Sequence, residues 1–154
     1  MPGAARAEDE KWMRMALDEA KKAAASGETP VGAVLVAGGR LIAAGHNERE
    51  AKKDVTSHAE LEVIRAAERE KGDWRLSGAT LYVTLEPCPM CAGAILAARI
   101  PRVVYGAKDA TAGAMGSVLN LPRYPLCGGI TVVSGVLETE ARTLLQAFFR
   151  ARRS

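Results

Sequence analysis

From Val31 onward the chain alternates short apolar runs with helix-like stretches, and that alternation most narrows the fold. VGAVLVAGGRLIAAGHN, starting at Val31, holds two apolar runs joined by Gly38-Gly39, a β-hairpin signal. Residues 58–70, HAELEVIRAAERE, read as a helix, and TLYVTLE as a strand. PMCAGAILAARI then reads as a helix with small residues that allow close packing, and VVYGA as a strand. Residues 110–129, rich in Gly and Pro, form a long loop before the strand ITVVSG and the helix ETEARTLLQAFFRA. Ahead of the hairpin, residues 8–25 place Trp12, Met13, Ala16, Leu17, Ala20 and Ala24 on one stripe. That helix ends at Gly27 and Pro30, and residues 1–7 before it are expected to be frayed. The order αββαβαβ-loop-βα argues for an α/β layered sheet with parallel strand pairs. The 154 residues suit a single domain over 1–154, able to hold a core without staples.

The start, MPGAARAEDEKW, lacks the apolar stretch of a secretory signal. No uncharged apolar run reaches the ~18 residues that span a membrane. A cytoplasmic protein without a membrane segment is expected, and a structural disulfide is not. The formal net charge of +3 permits an acidic partner such as nucleic acid without requiring one.

Two of the three cysteines fall in TLEPCPMCAGAI, Thr84 to Ile95, which leaves a redox dithiol or part of a metal site. Cys88 and Cys91 stand three apart at the start of a helix, so their sulfurs share a face. Pro87 and Pro89 suit a helix entry, and a helix N-terminus lowers thiol pKa. Two thiolates so arranged suit zinc. Only His46 and His58 can add an imidazole. His58 and Glu60 open the preceding helix in SHAE, where first-turn side chains lean back past the helix end. Three ligands, His58, Cys88 and Cys91, would leave a fourth position open, the layout of a catalytic zinc. Ser57 and Glu60 also stand at the offset of a capping box, so Glu60 has two readings, helix cap or proton carrier. Arg150, Arg152 and Arg153 at the end of the chain likewise have two, offsetting a helix dipole or contacting phosphate.

H-x-E followed by P-C-x-x-C is the known signature of zinc deaminases acting on nucleobases. The chain resembles the cytidine/deoxycytidylate deaminase superfamily, and within it the bacterial tRNA-specific adenosine deaminases. KWMRMALDEAKKA, PVGAVLV, GHN, SHAE, DWRLSGATLYVTLEPCPMCAGAI, RIPRVVYGAKDATAGAMGS and LLQAFFRARR carry the resemblance over nearly the whole chain, and VVYGAKDATAGAMGS points to the tRNA branch. The resemblance implies a three-layer α/β/α cytidine-deaminase-like fold around a mixed five-stranded sheet. It implies one Zn²⁺ per subunit on His58, Cys88 and Cys91, with Glu60 as the proton shuttle. Asn47 would touch the target nucleotide and Asp109 the flanking one, in a homodimer spanned by its tRNA. The implied reaction is hydrolysis of adenosine to inosine at the wobble position (34), in an anticodon stem-loop of arginine tRNA.

Val31, Ala59 and Leu85 are small apolar candidates to line the base pocket. Lys108, Arg150, Arg152 and Arg153 are candidates to grip the RNA backbone. Asp109 either accepts a bond from a ribose 2′-OH or caps a loop turn. One stretch departs from the family: PLCGGI, Pro125 to Ile130, stands where a polar Asn-His pair is expected, which puts any tRNA contact there in question. Cys127 reads as a small loop residue and His46 as a loop or interface histidine. Two other functions fit less of the pattern. A deaminase of free guanine, cytosine or a nucleoside would share the zinc machinery. A non-catalytic zinc module would want a fourth ligand and has no use for Glu60.

Overall fold

In the computed structural model, which describes residues 2–126 and 128–152, all five strands join one sheet in the order β2-β1-β3-β4-β5. The elements are α1 (Pro2–Ala25), β1 (Gly32–Ala37), β2 (Arg40–His46), α2 (Arg49–Lys52), α3 (Ala59–Lys71), β3 (Ala79–Leu85), α4 (Pro89–Ala97), β4 (Arg102–Ala107), β5 (Thr131–Val133) and α5 (Glu138–Arg152). β1 runs antiparallel to β2 and β3, while β3, β4 and β5 run parallel, so the sheet is mixed. Gly38 and Gly39 both take positive φ, the turn that matches the twist of a hairpin.

Period-2 alternation sorts the core into two layers. Leu35, Leu81, Val83 and Val103 pack with Val63 and Ile64 of α3 and Ile95 of α4. Val34, Tyr82 and Val104, one residue out of phase, pack with Trp12, Met13 and Ala16 of α1. Successive strand side chains face opposite ways, and central strands covered by helices on both faces become apolar throughout. Gly32 lets α1 lie close on β1, because a Cβ there would sit 2.0 Å from the Ala16 carbonyl oxygen.

Three features differ from the sequence reading. α1 starts at Pro2, not at residue 8, because proline suits a first helical turn and Ala4, Ala5 and Ala7 are strong helix formers. A short α2 interrupts the connection after the hairpin, and a 3-10 turn, Leu121–Arg123, punctuates the long loop. Asp9 of α1 takes hydrogen bonds from Tyr82 Oη at 2.8 Å and from Arg102 Nη1 and Nη2 at 3.0 and 2.8 Å. Among the described residues no helix is long and apolar enough to cross a membrane.

Candidate active site

The helices on one side of the sheet aim their first turns at a common point. His58 is the N-cap of α3 and Cys88 the N-cap of α4, both with extended backbone, and Pro89 opens α4 at its first turn. His58 Nδ1 lies 3.7 Å from Cys88 Sγ and 3.5 Å from Cys91 Sγ. The three ligand atoms all fall within 4.8 Å of one another. Bonds of about 2.0 Å to nitrogen and 2.3 Å to sulfur around a tetrahedral ion separate such ligands by about 3.5 Å. The trio therefore has the spacing of a metal site. The Cys91 thiol, bonded to Cys88, holds Cys88 down to about 4, and His58 adds to that pull. Cys91, giving its proton to that bond and buried as well, is pushed far up.

Glu60 does not form a capping box. The N-cap is His58 rather than Ser57, and it makes no side-chain cap bond. The frame is one residue later than the box requires, which puts Glu60 at the second helical position. There it is 4% exposed and lines the same cavity as His58 and Cys88. Burial pushes its carboxyl up to about 7, against the pull of its own backbone N–H.

That cavity measures about 170 Å³. Val31, Asn47, Ala59, Leu85 and Asp109, the residues read as base-contacting, all line it. Asn47 Oδ1 accepts from the Arg49 N–H at 3.3 Å, which leaves its amide NH₂ as the group able to donate to a ligand. Asp109 Oδ1 accepts from Thr111 N, Ala112 N and Thr111 Oγ1 at 3.0, 3.2 and 2.8 Å. The turn-capping reading is thus realised at one oxygen, and Oδ2 carries none of these bonds.

Four lining residues escaped the sequence reading: Thr29, Arg49, Glu86 and Ala112. Glu86, 2% exposed, is the hub of the loop after β4. Its Oε1 accepts from Asp109 N at 3.1 Å and from Ser117 Oγ, and its Oε2 from Met115 N at 3.0 Å and Ser117 N at 3.1 Å. Gly113 makes room for it, since a Cβ there would lie 2.5 Å from Glu86 Cδ. Glu28 holds the opposite wall, accepting from Glu50 N at 3.0 Å and Ala51 N at 2.7 Å at the start of α2. Neither carboxylate has a sequence signal, because its partners, nearly all backbone amides, are many residues away.

The candidate RNA-backbone cations are dispersed. Lys108 is exposed beside Asp109, in a second groove of about 560 Å³ that also holds Arg123. Arg152 donates to the Gly27 carbonyl and stacks on Phe148 at 4.5 Å, which brings the end of α5 to the loop leading into Thr29. Arg150 sits in the same last turn. Arg153 and Cys127 lie outside the described residues. His46 Nδ1 pairs with Glu19 Oε1 at 3.0 Å, away from the Cys-His trio.

Comparison with known proteins agrees with this geometry. The family of MafB19-like deaminases matches residues 7–153. A tRNA-specific adenosine deaminase of Bacillus subtilis (strain 168) is 51% identical over 147 residues, 95% of this chain and 91% of that one. A solved structure from work on A-to-I editing by tRNA:A34 deaminases at the wobble position superposes with a TM-score of 0.85 at 48% identity, covering 88% of this chain and 99% of that one. A guanine deaminase from Nitrosomonas europaea superposes with a TM-score of 0.77 at 27% identity, over 90% of this chain and 83% of that one.

Proposed function

This chain belongs to the MafB19-like deaminases and, among them, to the tRNA-specific adenosine deaminases, and we propose that it converts adenosine to inosine at wobble position 34 of tRNA by zinc-dependent hydrolysis. The observation that carries this reading is the buried Glu60 carboxyl sharing one small cavity with His58 and Cys88, whose ligand atoms converge with that of Cys91. His58, Cys88 and Cys91 would hold one Zn²⁺ per subunit, which when bound would supply the Lewis acid that makes water nucleophilic near neutral pH.

The other steps belong to the chain's own groups. Glu60 takes the proton of the attacking water as the new C–O bond forms at C6 of adenine. It passes that proton to the purine ring nitrogen. Then it takes the proton of the new C6–OH and delivers it to the amine, so that C6=O forms as the C–N bond breaks, water is consumed and ammonia leaves. One carboxyl serves as base and then as acid, and burial keeps bulk water from competing for its proton. Val31, Ala59 and Leu85 give the base an apolar slot, and Asn47 and Asp109 flank it with polar groups. Lys108, Arg150, Arg152 and Arg153 are the cations proposed to grip the RNA backbone.

The substrate is a folded anticodon stem-loop, most directly that of arginine tRNA. A hairpin loop offers a base already free of its stack, at little unstacking cost. The active unit is a cytoplasmic homodimer, and exposed Met90, Val118 and Leu119 are apolar surface that such pairing would cover. The fold shared with a guanine deaminase supports a second reading, a free-base enzyme. Incubation with an adenosine-34 hairpin, free adenosine, guanine and cytosine separates the two. The expected result is inosine in the hairpin with nearly inert free bases, and robust guanine turnover with an unreacted hairpin would overturn it.

A further inference from the structure

We propose that Arg49 grips a backbone phosphate of the target nucleotide itself, a contact that rests on the RNA substrate inferred above. Among the charged side chains that line the base cavity, carboxylates outnumber cations. Glu60, Glu86 and Asp109 all contribute to it, and among the described residues Arg49 is its one lysine or arginine. A polyanion cannot bring a phosphodiester to such a mouth without a cation to offset the carboxylates. The base must enter while its phosphates stay at the rim, since the backbone continues in both directions. The cation at that rim is therefore the one placed to meet them.

The segment bearing Arg49 is held by backbone hydrogen bonds, while its side chain is half exposed. Arg49 N donates to Asn47 Oδ1, and Glu48 N donates to Ser57 O at 2.9 Å. Glu50 N and Ala51 N donate to the buried Glu28. Those amides are already satisfied, so the guanidinium is the anion-binding group that this segment offers. It is 50% exposed, and its ion pair is with the adjacent Glu50 at 3.6 Å, itself 71% exposed. An exposed neighbour pair of that length is worth little, so a phosphate able to take two parallel N–H bonds displaces it readily. Lys108 and Arg152 are placed differently. Lys108 lines the neighbouring groove, and Arg152 is engaged with the Gly27 carbonyl and the Phe148 ring. The Asn47–Arg49 bond also links a base-contacting residue to the phosphate contact, so base and backbone would be held in one register.

The test uses the zinc-loaded full-length chain and an anticodon hairpin with adenosine at the target position. Binding is measured as a function of salt for wild type, Arg49→Gln and Arg49→Lys. Loss of one phosphate contact lowers the slope of log K against log salt by about 0.7–1. Arg49→Gln is expected to show that drop and about tenfold weaker binding at low salt, carried by KM rather than kcat. Arg49→Lys keeps the slope. A second arm replaces each phosphate flanking the target, in turn, by an uncharged methylphosphonate. At one of them the RNA change and Arg49→Gln should be non-additive, the mark of a direct contact. A wild-type slope in Arg49→Gln, or full additivity at both phosphates, overturns the Arg49 contact while inosine still forms. If wild type makes no inosine in the hairpin at any salt, the substrate assignment fails instead.

Discussion

Replacing Glu86 by Gln changes one atom in a buried knot, and its cost follows from four bonds. The carboxylate accepts at both oxygens, two donors to each, and donates nothing. A glutamine keeps one accepting oxygen and turns an NH₂ toward the other two donors, and the pair on the Oε2 side, both backbone N–H, cannot accept. If the amide faces Met115 N and Ser117 N, both lose a bond to a charged acceptor, each worth about 1.5–3 kcal/mol. The loop can turn those amides to water at its exposed end, so the net loss lies near the lower bound, about 3 kcal/mol. For a chain of this size that lowers Tm by about 6–12 °C. Thermal unfolding measures this, and amide hydrogen exchange locates it, with protection falling at Asp109, Met115 and Ser117 while the strands keep theirs. Bound metal should be retained, because Glu86 is not among the three convergent ligands. Unchanged protection at Met115 and Ser117, with Tm within ~2 °C of wild type, would refute the reasoning that this carboxylate builds the cavity wall.

Glu60→Ala should keep its metal and fold while turnover falls by at least ~10²–10⁴; loss of metal on analysis would instead make Glu60 structural. Cys91→Ala should lose zinc and stability together, because ligation and folding are coupled, and Cys127→Ala should change neither; a full zinc complement in Cys91→Ala would refute the ligand set. Burial raises the Asp9 carboxyl, but bonds from Arg102 and Tyr82 outweigh it and hold the group below the usual carboxylate range. Its stabilising effect is therefore complete above the unfolded value of about 3.9 and is lost as pH falls through the lower folded value; urea unfolding of wild type and Asp9→Asn should converge only below pH about 4. Asp109→Asn keeps an oxygen for the Thr111 and Ala112 bonds and changes only the other position, so inosine formation in matched RNA and DNA hairpins should show a narrower RNA preference; an unchanged ratio would remove Asp109 from sugar recognition.

The parts of this fold that were legible in the sequence are those whose causes are local. The hairpin follows from two glycines between apolar runs, and the start of α4 from Pro89 behind an N-cap cysteine. The Cys-His trio was legible because helix entry fixes the direction of first-turn side chains. Glu60 was ambiguous because the capping-box offset and the H-x-E spacing differ by a single residue of frame, which only the backbone at His58 decides. Glu28, Glu86 and Arg49 were illegible for another reason. Their meaning depends on which loop the sheet order β2-β1-β3-β4-β5 brings beside which other, and no spacing along the chain encodes it. The early start of α1 shows the opposite error, since its alanines favour helix whether or not the stripe of apolar residues extends to them.

The two cavity walls share a construction that explains how a loop-built site can be rigid and still bind RNA. Glu28 and Glu86 both reach backbone N–H groups in the segments they fix. A wall held by its own side chains would have none left for a ligand. Here the scaffold side supplies the acceptors, so the side chains of the fixed segments, the half-exposed Arg49 among them, are not what holds the wall. Such buried carboxylates would be costly alone, yet the donors around each match it. The same construction accounts for the acidity of the cavity. Carboxylates that shape the walls would also repel phosphate, and the proposed Arg49 contact would offset that repulsion.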